Sequence, residues 1–590
     1  MSDYRAPIQD MRFVMDELAD LPGIARLPGF EEATPDMADA ILEEAAKFTG
    51  EVLAPLNAIG DREGCRWQDG AVTTPPGWKE AYRLYCAGGW NGIACSPAFG
   101  GQGLPNVLAV AVKEMVCSAN LAFSVCPLLT TGAIEALMTC ASGELIETYL
   151  AKMISGEWTG TMNLTEPQAG SDLALLRSRA EPQTDGTYRI FGQKIFISYG
   201  EHDMVDNIVH LVLARLPDAP PGVKGISLFL VPKFLVNADG SLGARNDVAC
   251  ASIEHKLGIH GSPTCVMAFG EQGGAVGYLL GQTNRGLEYM FVMMNEARHG
   301  VGLQGVALGE RAYQHALAYA AERKQGRDAV TGEALVTIDH HPDVKRMLML
   351  MKSRVEAARA LAYYTAGLLD RSHAENDEDV RQQQLFLAEF LIPLVKGGGT
   401  EMGIDVASLG IQIHGGMGFI EETGAAQFWR DARITTIYEG TTGIQANDLI
   451  FRKLLRDRGA TAQRLFAEIE RTVSALRSHD DASLNAIGKS LQEGLAQWRE
   501  VTRCVLASAK TQPEGALTAA VPILNLAVSV SNGWMMGRAA LIARQRLDEG
   551  HAATEFLRDK CVSARFYADH VMPLAGAYAA TALSCLEGRG

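Results

Sequence analysis

The spacing of apolar residues changes several times along the chain and divides it into zones. From about residue 30 to 158 apolar positions recur every three or four, as in MADAILEEAAKFTGEVLAPLNAIGD, which predicts amphipathic helices. SPAFGGQGLPN, residues 96–106, interrupts them as a Gly/Pro loop. Between about 159 and 283 the period becomes two. TYRIFGQKIFIS alternates along its length, DNIVHLVLARL and GISLFLVPKFL are β-rich, and turn residues such as TDG and ADG separate the runs. Helical spacing returns at 285–325, where Leu287, Met290, Phe291, Met294, Ala297 and Val301 share a face. It continues over 341–372 and 383–411, resumes just after Glu439, and fills the Ala/Leu-rich tail.

The expected organisation is an N-terminal extension (1–35), a helical domain (36–158), a β domain (159–283), a second helical domain (284–460) and a further helical domain (461–590). At 590 residues the chain is too long for one core. ALTAAVPILNLAVSV, residues 516–530, is the most membrane-like stretch. It falls short of the roughly 20 residues a span needs, so a buried helix, or a pair broken near Pro522, is expected.

Composition narrows the function. With 47% hydrophobic and 21% charged residues this is ordinary globular material. A net charge of −16 argues against a broad nucleic-acid face, which needs clustered Lys and Arg. The tail from 461, at a net of +1, reads as a solvated bundle. Eleven cysteines without a CxxC pair or zinc-ligand spacing point to thiols in a reducing cytoplasm and to no metal site. No secretory start is visible in MSDYRAPIQDMRF. SLNAIGKS, 483–490, has Ser483 where a phosphate loop needs glycine, and HGGMG, 414–418, follows no predicted strand, so neither is a nucleotide fingerprint.

Five stretches carry chemistry together: TMNLTEPQAGSD (161–172), KIFISYGE (194–201), NEARHGVG (295–302), QIHGGMGF (412–419) and RDARITTIYEGTTGIQ (430–445). Small and hydroxyl-bearing residues in the first let backbone approach a ligand and offer donors to its oxygens. In this order, over roughly 30–460, the chain resembles the acyl-CoA dehydrogenase family of flavoproteins. Its length, tail, YRAPIQDMRFVMDEL and GIHGSPTCVM resemble the longer branch that includes 3-methylmercaptopropionyl-CoA dehydrogenases. The resemblance implies an α+β fold: a helical N-terminal domain, a middle β-barrel or sandwich, a C-terminal four-helix bundle and an extra helical domain.

It also implies FAD as cofactor. Met162, Leu164, Thr165 and Ser171 would line the flavin, Ser171 also lying near the CoA chain. Phe196 and Ser198 match the aromatic and hydroxyl positions at the isoalloxazine. Asn295 and Arg298 match positions near the CoA, where a cation suits phosphates. Arg323, Gln412, Gly415 and Gly416 match residues that hold the ADP half of an FAD bound mainly by the neighbouring subunit, and Thr441 would contact the adenosine side. Two departures stand out: RKQGR (323–327) lacks the family's usual phenylalanine, and Phe196 replaces a frequent tryptophan.

Glu439 matches the catalytic base. Its setting, behind Ile437 and Tyr438 and before Gly440, suits that role, because an apolar site raises a carboxylate's pKa toward that of an α-C–H. Gly440 would let the thioester carbonyl reach the Glu439 N–H. The position at which a few relatives carry the base on the preceding long helix is Ala297. The expected reaction is α,β-desaturation of an acyl-CoA to the trans-2-enoyl-CoA, with an electron-transfer flavoprotein or similar acceptor. 3-Methylthiopropanoyl-CoA or another short or medium acyl-CoA is the expected substrate, with medium-to-long chains as the alternative. An oxidase using O₂ is the nearest rival. A nitroalkane-oxidase-like enzyme would carry Asp at 439, and a DNA-binding relative would want a basic tail. A cytoplasmic homodimer without membrane insertion is expected.

Overall fold

The structure is a computed structural model that describes residues 4–588, so the ends of the two terminal segments, 1–3 and 589–590, lie outside the described residues. Two compact units emerge. One comprises Lys47–Leu104 and Ala119–Ala297; the other runs up to Ala46, then Pro105–Ser118, then from Arg298 onward.

The helices that matter below are α1 (Ile8–Phe13), α2 (Asn106–Ala119), α3 (Leu121–Cys140), α4 (Gly286–Glu322), α5 (Pro342–Ala374), α6 (Glu378–His414), α7 (Thr442–Asn447), α8 (Pro513–Asp548) and α9 (Thr554–His570). In the first unit a small hairpin, β1 (Arg66–Gln68) with β2 (Ala71–Thr73), stands inside the zone expected to be all helical. Its residues are too few to impose a visible period.

The β domain contains β3 (Trp158–Asn163), β4 (Arg179–Pro182), β5 (Tyr188–Ser198), β6 (Asn207–Arg215), β7 (Ile226–Pro232), β8 (Phe234–Val236), β9 (Leu242–Arg245), β10 (Val248–Ile253), β11 (Thr264–Phe269) and β12 (Ala275–Leu280). The main sheet has the order β10-β11-β5-β12-β7-β6-β3, with β4 paired to β5 and β6, and β8–β9 form a separate ribbon. β3 and β6 run parallel, and β3 is buried throughout because α3 covers it. Gly160 permits this approach: a Cβ there would stand 2.5 Å from the Ala133 Cβ. The core gathers Ile190, Ile197, Val212, Phe229, Val231 and Met267.

The alternation expected along β5 breaks. Cys265 pairs with Ile197 but Met267 with Lys194, so β5 carries one extra residue at a bulge. Lys194 therefore points inward while Phe196, at φ +60°, is turned outward.

The second unit is helical. Glycines let α4 and α6 meet backbone to backbone: a Cβ on Gly305 would lie 2.1 Å from the Gly399 carbonyl oxygen. A buried ion network joins five helices. Arg359 of α5 donates to Glu114 of α2 at 2.6 and 2.9 Å, to Asp10 of α1 at 2.6 Å and to Glu310 of α4 at 2.8 Å. The Tyr363 hydroxyl donates to Glu114 at 2.7 Å, and Lys560 of α9 pairs with Asp10 and with Glu356 at 3.2 Å.

α8 is one continuous helix through Pro522, not a broken pair. The proline removes the bond to the Thr518 carbonyl, but Thr518 is exposed and water can take that oxygen. α3 and α8 are both long and apolar enough to cross a membrane, and both are mostly buried inside the fold.

Candidate active site

In the first unit the loop after β3 is clamped from beneath. The Lys194 ammonium, fully buried, donates to the Leu164 carbonyl at 3.1 Å and to Glu166 Oε1 at 2.8 Å. Glu166 also accepts from the Ser178 N–H and hydroxyl, the Arg177 N–H and the Gln168 amide. Burial opposes its charge, but Lys194 and these donors prevail and hold the carboxyl at about 2. The Ile195 N–H bonds the Thr165 carbonyl at 2.9 Å, and the Thr161 hydroxyl donates to the Ser198 carbonyl at 2.7 Å. The loop and the end of β5 thus form one rigid edge.

Along that edge Met162 is buried, Leu164, Thr165 and Ser198 are half-buried, and Ser171 is exposed. Phe196 is 59% exposed, in a backbone conformation that bulky residues rarely adopt. Gly170 has open space where a Cβ would stand. An outward aromatic face beside hydroxyl donors fits a planar heteroaromatic ring such as a flavin, and the positive φ of Phe196 marks the position as constrained. Asn295, on α4, is half-buried.

The second unit holds the carboxylate. A 3₁₀ turn over Arg433–Thr436 leads into Tyr438, whose N–H bonds the Ile434 carbonyl at 3.1 Å. Glu439 and Gly440 follow at φ +54° and +89°. Thr441 caps α7, its hydroxyl accepting from the Ile444 N–H at 3.3 Å, and Thr442 donates to Glu401 at 2.6 Å. Two donors hold the turn. The Lys396 ammonium reaches the Gly440 carbonyl at 2.6 Å, and the Gln445 amide reaches the Glu439 and Gly440 carbonyls at 3.1 and 3.2 Å.

Glu439 is half-buried. Desolvation pushes its carboxyl above the usual glutamate range, while Arg298 and Lys396 offset part of the rise. Tyr438 contributes an apolar ring whose hydroxyl is tied to Gln304, but Ile437 is 48% exposed and adds little to the drying expected of it. Ala297 is buried at 2% exposure.

Arg298, expected near the CoA, lies in the interior. It is 3% exposed, its guanidinium lies 3.5 Å from Asp448, and its field acts on Glu439. Asp448 opens a π-helical turn, Asp448–Leu454, directly after α7. Arg323, at the end of α4, is exposed, and Gln412, Gly415 and Gly416, at the end of α6, are exposed just before the exposed Met417, Phe419 and Ile420. The sequence reading missed Lys396, Gln445, Gln304 and Asp448. Lys396 alone left a signal, a single cation inside the apolar run LIPLVKGGG.

Comparisons with known proteins match four descriptions in succession: acyl-CoA dehydrogenase N-terminal domain over 35–157, middle domain over 161–271, C-terminal domain over 284–454, and acetyl-CoA dehydrogenase C-terminal like over 465–585. A 3-methylmercaptopropionyl-CoA dehydrogenase of Ruegeria pomeroyi is 50% identical over 96% of each chain. A butyryl-CoA dehydrogenase of Syntrophomonas wolfei is 35% identical over 97% of this chain and 95% of its own. Among solved structures, an acyl-CoA dehydrogenase from Bacillus anthracis complexed with FAD shares the fold at TM-score 0.74 and 21% identity, covering 97% of this chain and 91% of that one.

Proposed function

The chain belongs to the acyl-CoA dehydrogenase family, and from that membership we propose that it desaturates 3-methylthiopropanoyl-CoA, or a closely similar short acyl-CoA, with Glu439 as the base. It is an FAD-dependent oxidoreductase acting on acyl-CoA thioesters.

Bound FAD supplies the acceptor that takes the β-hydrogen as hydride. The protein's part is to hold the ligands and move the other hydrogen. Glu439 takes the α-proton. Partial burial brings its basicity closer to that of the α-carbon, each pK unit being worth about 1.4 kcal/mol. With no side chain at Gly440 the thioester would approach this turn, its oxygen accepting from the Glu439 N–H as enolate charge grows. Met162, Leu164, Thr165, Phe196, Ser198 and Ser171 would hold the flavin, and Ser171 with Asn295 would meet the CoA chain. Arg298 is placed by this reading at the base, not at a phosphate. Arg323, Gln412, Gly415, Gly416 and Thr441 would meet the adenosine side of FAD, the first four on the subunit opposite. The exposed apolar residues Met417, Phe419 and Ile420 support a homodimer through this end of α6. An electron-transfer flavoprotein is the proposed acceptor; a chain from the electron-transferring flavoprotein structure of Acidaminococcus fermentans is 26% identical at TM-score 0.58.

The observation that carries the catalytic assignment is the half-buried Glu439 carboxylate, raised by desolvation and fixed at positive φ. Glu439→Gln should retain FAD and bind acyl-CoA while anaerobic flavin bleaching slows about 10²- to 10⁴-fold. Bleaching at near wild-type speed would reject the base. For the substrate, the 50% identity to the Ruegeria enzyme carries the choice. An acyl-CoA panel should show 3-methylthiopropanoyl-CoA and short chains reducing the flavin fastest; reduction only by chains beyond about ten carbons, at the limit where short ligands lose apolar contact, would overturn it.

A further inference from the structure

Lys396 is a lysine with none of its surface exposed, in a buried stretch of α6 otherwise made of Leu391, Ile392, Pro393, Leu394, Val395 and glycines. Its ammonium donates to the Gly440 carbonyl at 2.6 Å, the peptide that follows the proposed base. Gln445 donates to that oxygen and to the Glu439 carbonyl. Two consecutive carbonyls are therefore held from α6 and α7, which fixes both peptide planes of a turn whose two residues sit at positive φ. A neutral donor would suffice for that geometry, since burying an ammonium costs several kcal/mol that a neutral amide avoids. What a lysine adds is charge.

The surroundings direct that charge to Glu439. From α4, Arg298 faces the same carboxylate, but it shares its charge with Asp448, which also meets Arg452 at 3.5 Å. From α6 itself comes Glu401, already accepting from Thr442. The hydrogen bond of Lys396 is to an uncharged carbonyl, and Glu439 is the foremost charge acting to keep it protonated. We infer that Lys396 is a positioning residue for the proposed base: it pins the Glu439–Gly440 turn through the Gly440 carbonyl and keeps the neighbouring carboxylate ionised in its partly desolvated setting. This rests on the assignment of Glu439 as the base. Burial draws the ammonium down to about 8, with Glu439 opposing that fall, so the cation is present across neutral pH.

Two variants separate the two parts of the role. Lys396→Gln keeps a donor and removes the charge; Lys396→Met removes both. In stopped-flow anaerobic reduction, the acid limb of the pH–rate profile should move up by about one pH unit in both, the shift that follows loss of a nearby opposite charge. The alkaline plateau should stay within about threefold of wild type in Lys396→Gln and fall about tenfold or more in Lys396→Met. Infrared titration of the protonated carboxyl band, identified by its loss in Glu439→Gln, should show the same shift without turnover.

A plateau loss with an unmoved acid limb and carboxyl band would reduce Lys396 to a packing residue and overturn the inference. If Lys396→Met fails to fold, the acid limb and band of Lys396→Gln decide alone. Failure of the underlying assignment is distinguishable: there Glu439→Gln itself bleaches at near wild-type speed. If Glu439→Gln is slow while the Lys396 variants titrate like wild type, only the present inference falls.

Discussion

Gly440→Ala tests how much of the catalysis lies in the shape of one turn. Gly440 sits at φ +89°, where an L-residue costs roughly 1–2 kcal/mol. The added methyl would stand 2.9 Å from the Gln445 amide nitrogen and 3.2 Å from Ile444 Cγ2. Ile444 is on the first turn of α7 and cannot withdraw far, so the flexible Gln445 side chain gives way. Its bonds to the Glu439 and Gly440 carbonyls are then lost, at about 1 kcal/mol apiece. The observed turn is thus disfavoured by about 3–4 kcal/mol, a population loss on the order of 10² to 10³ at 1.4 kcal/mol per factor of ten. Lys396 still holds the Gly440 carbonyl, so α7 should remain folded and the loss should be local. The assay is stopped-flow flavin bleaching alongside a thermal melt. The expected result is a rate on the order of 10²- to 10³-fold lower, with an unchanged FAD content and a melt within a few degrees of wild type. A rate within threefold of wild type would refute the claim that positive φ at 440 sets the position of the carboxylate.

Three further outcomes follow from other parts of the structure. Arg359→Met leaves Asp10, Glu114 and Glu310 buried without their shared cation, which should cost more than about 3–5 kcal/mol; soluble yield and denaturant midpoint read it, and a wild-type midpoint would contradict the network's role. Glu166 has a carboxyl held at about 2, below its unfolded value, so its stabilisation is complete above pH ~4.5 and drains as pH falls toward 2. Glu166→Gln should therefore flatten the acid limb of stability in that window and weaken FAD retention, measured by denaturant melts across pH and by flavin absorbance. Gly305→Val drives a side chain into the Gly399 carbonyl and should separate α4 from α6 at a cost of about 2 kcal/mol or more, read as a lowered melting temperature.

Much of this was legible from local pattern. The helices at 286–322, 342–374 and 378–414 and the β domain between 158 and 280 lie where the period changes, because burial of one face imposes that period residue by residue. What escaped depends on contacts far apart in sequence. No local rule places Lys396 on the carbonyl of Gly440, 44 positions away, or Arg359 on Asp10, 349 away. The bulge at Phe196 turns one side chain against the prevailing alternation, so periodicity reads straight through it.

One local anomaly nonetheless recurs: a lone cation in an apolar run. It appears as Lys194 in IFGQKIFI, as Lys396 in LIPLVKGGG and as Arg359 in VEAARALAYY, and each is fully buried. Their partners divide them. Arg359 meets side-chain oxygens only, and its helices could be held equally by apolar packing of similar volume. Lys194 and Lys396 each donate to a main-chain carbonyl, Leu164 and Gly440, on the two loops to which the proposed function assigns the flavin contacts and the base. A loop cannot bury its own polar backbone without a donor, and a loop that must hold a strained conformation needs that donor to be strong. A buried lysine on a backbone oxygen is thus the imprint of a shaped loop, and in this chain each of the two loops so held carries residues named in the proposed function.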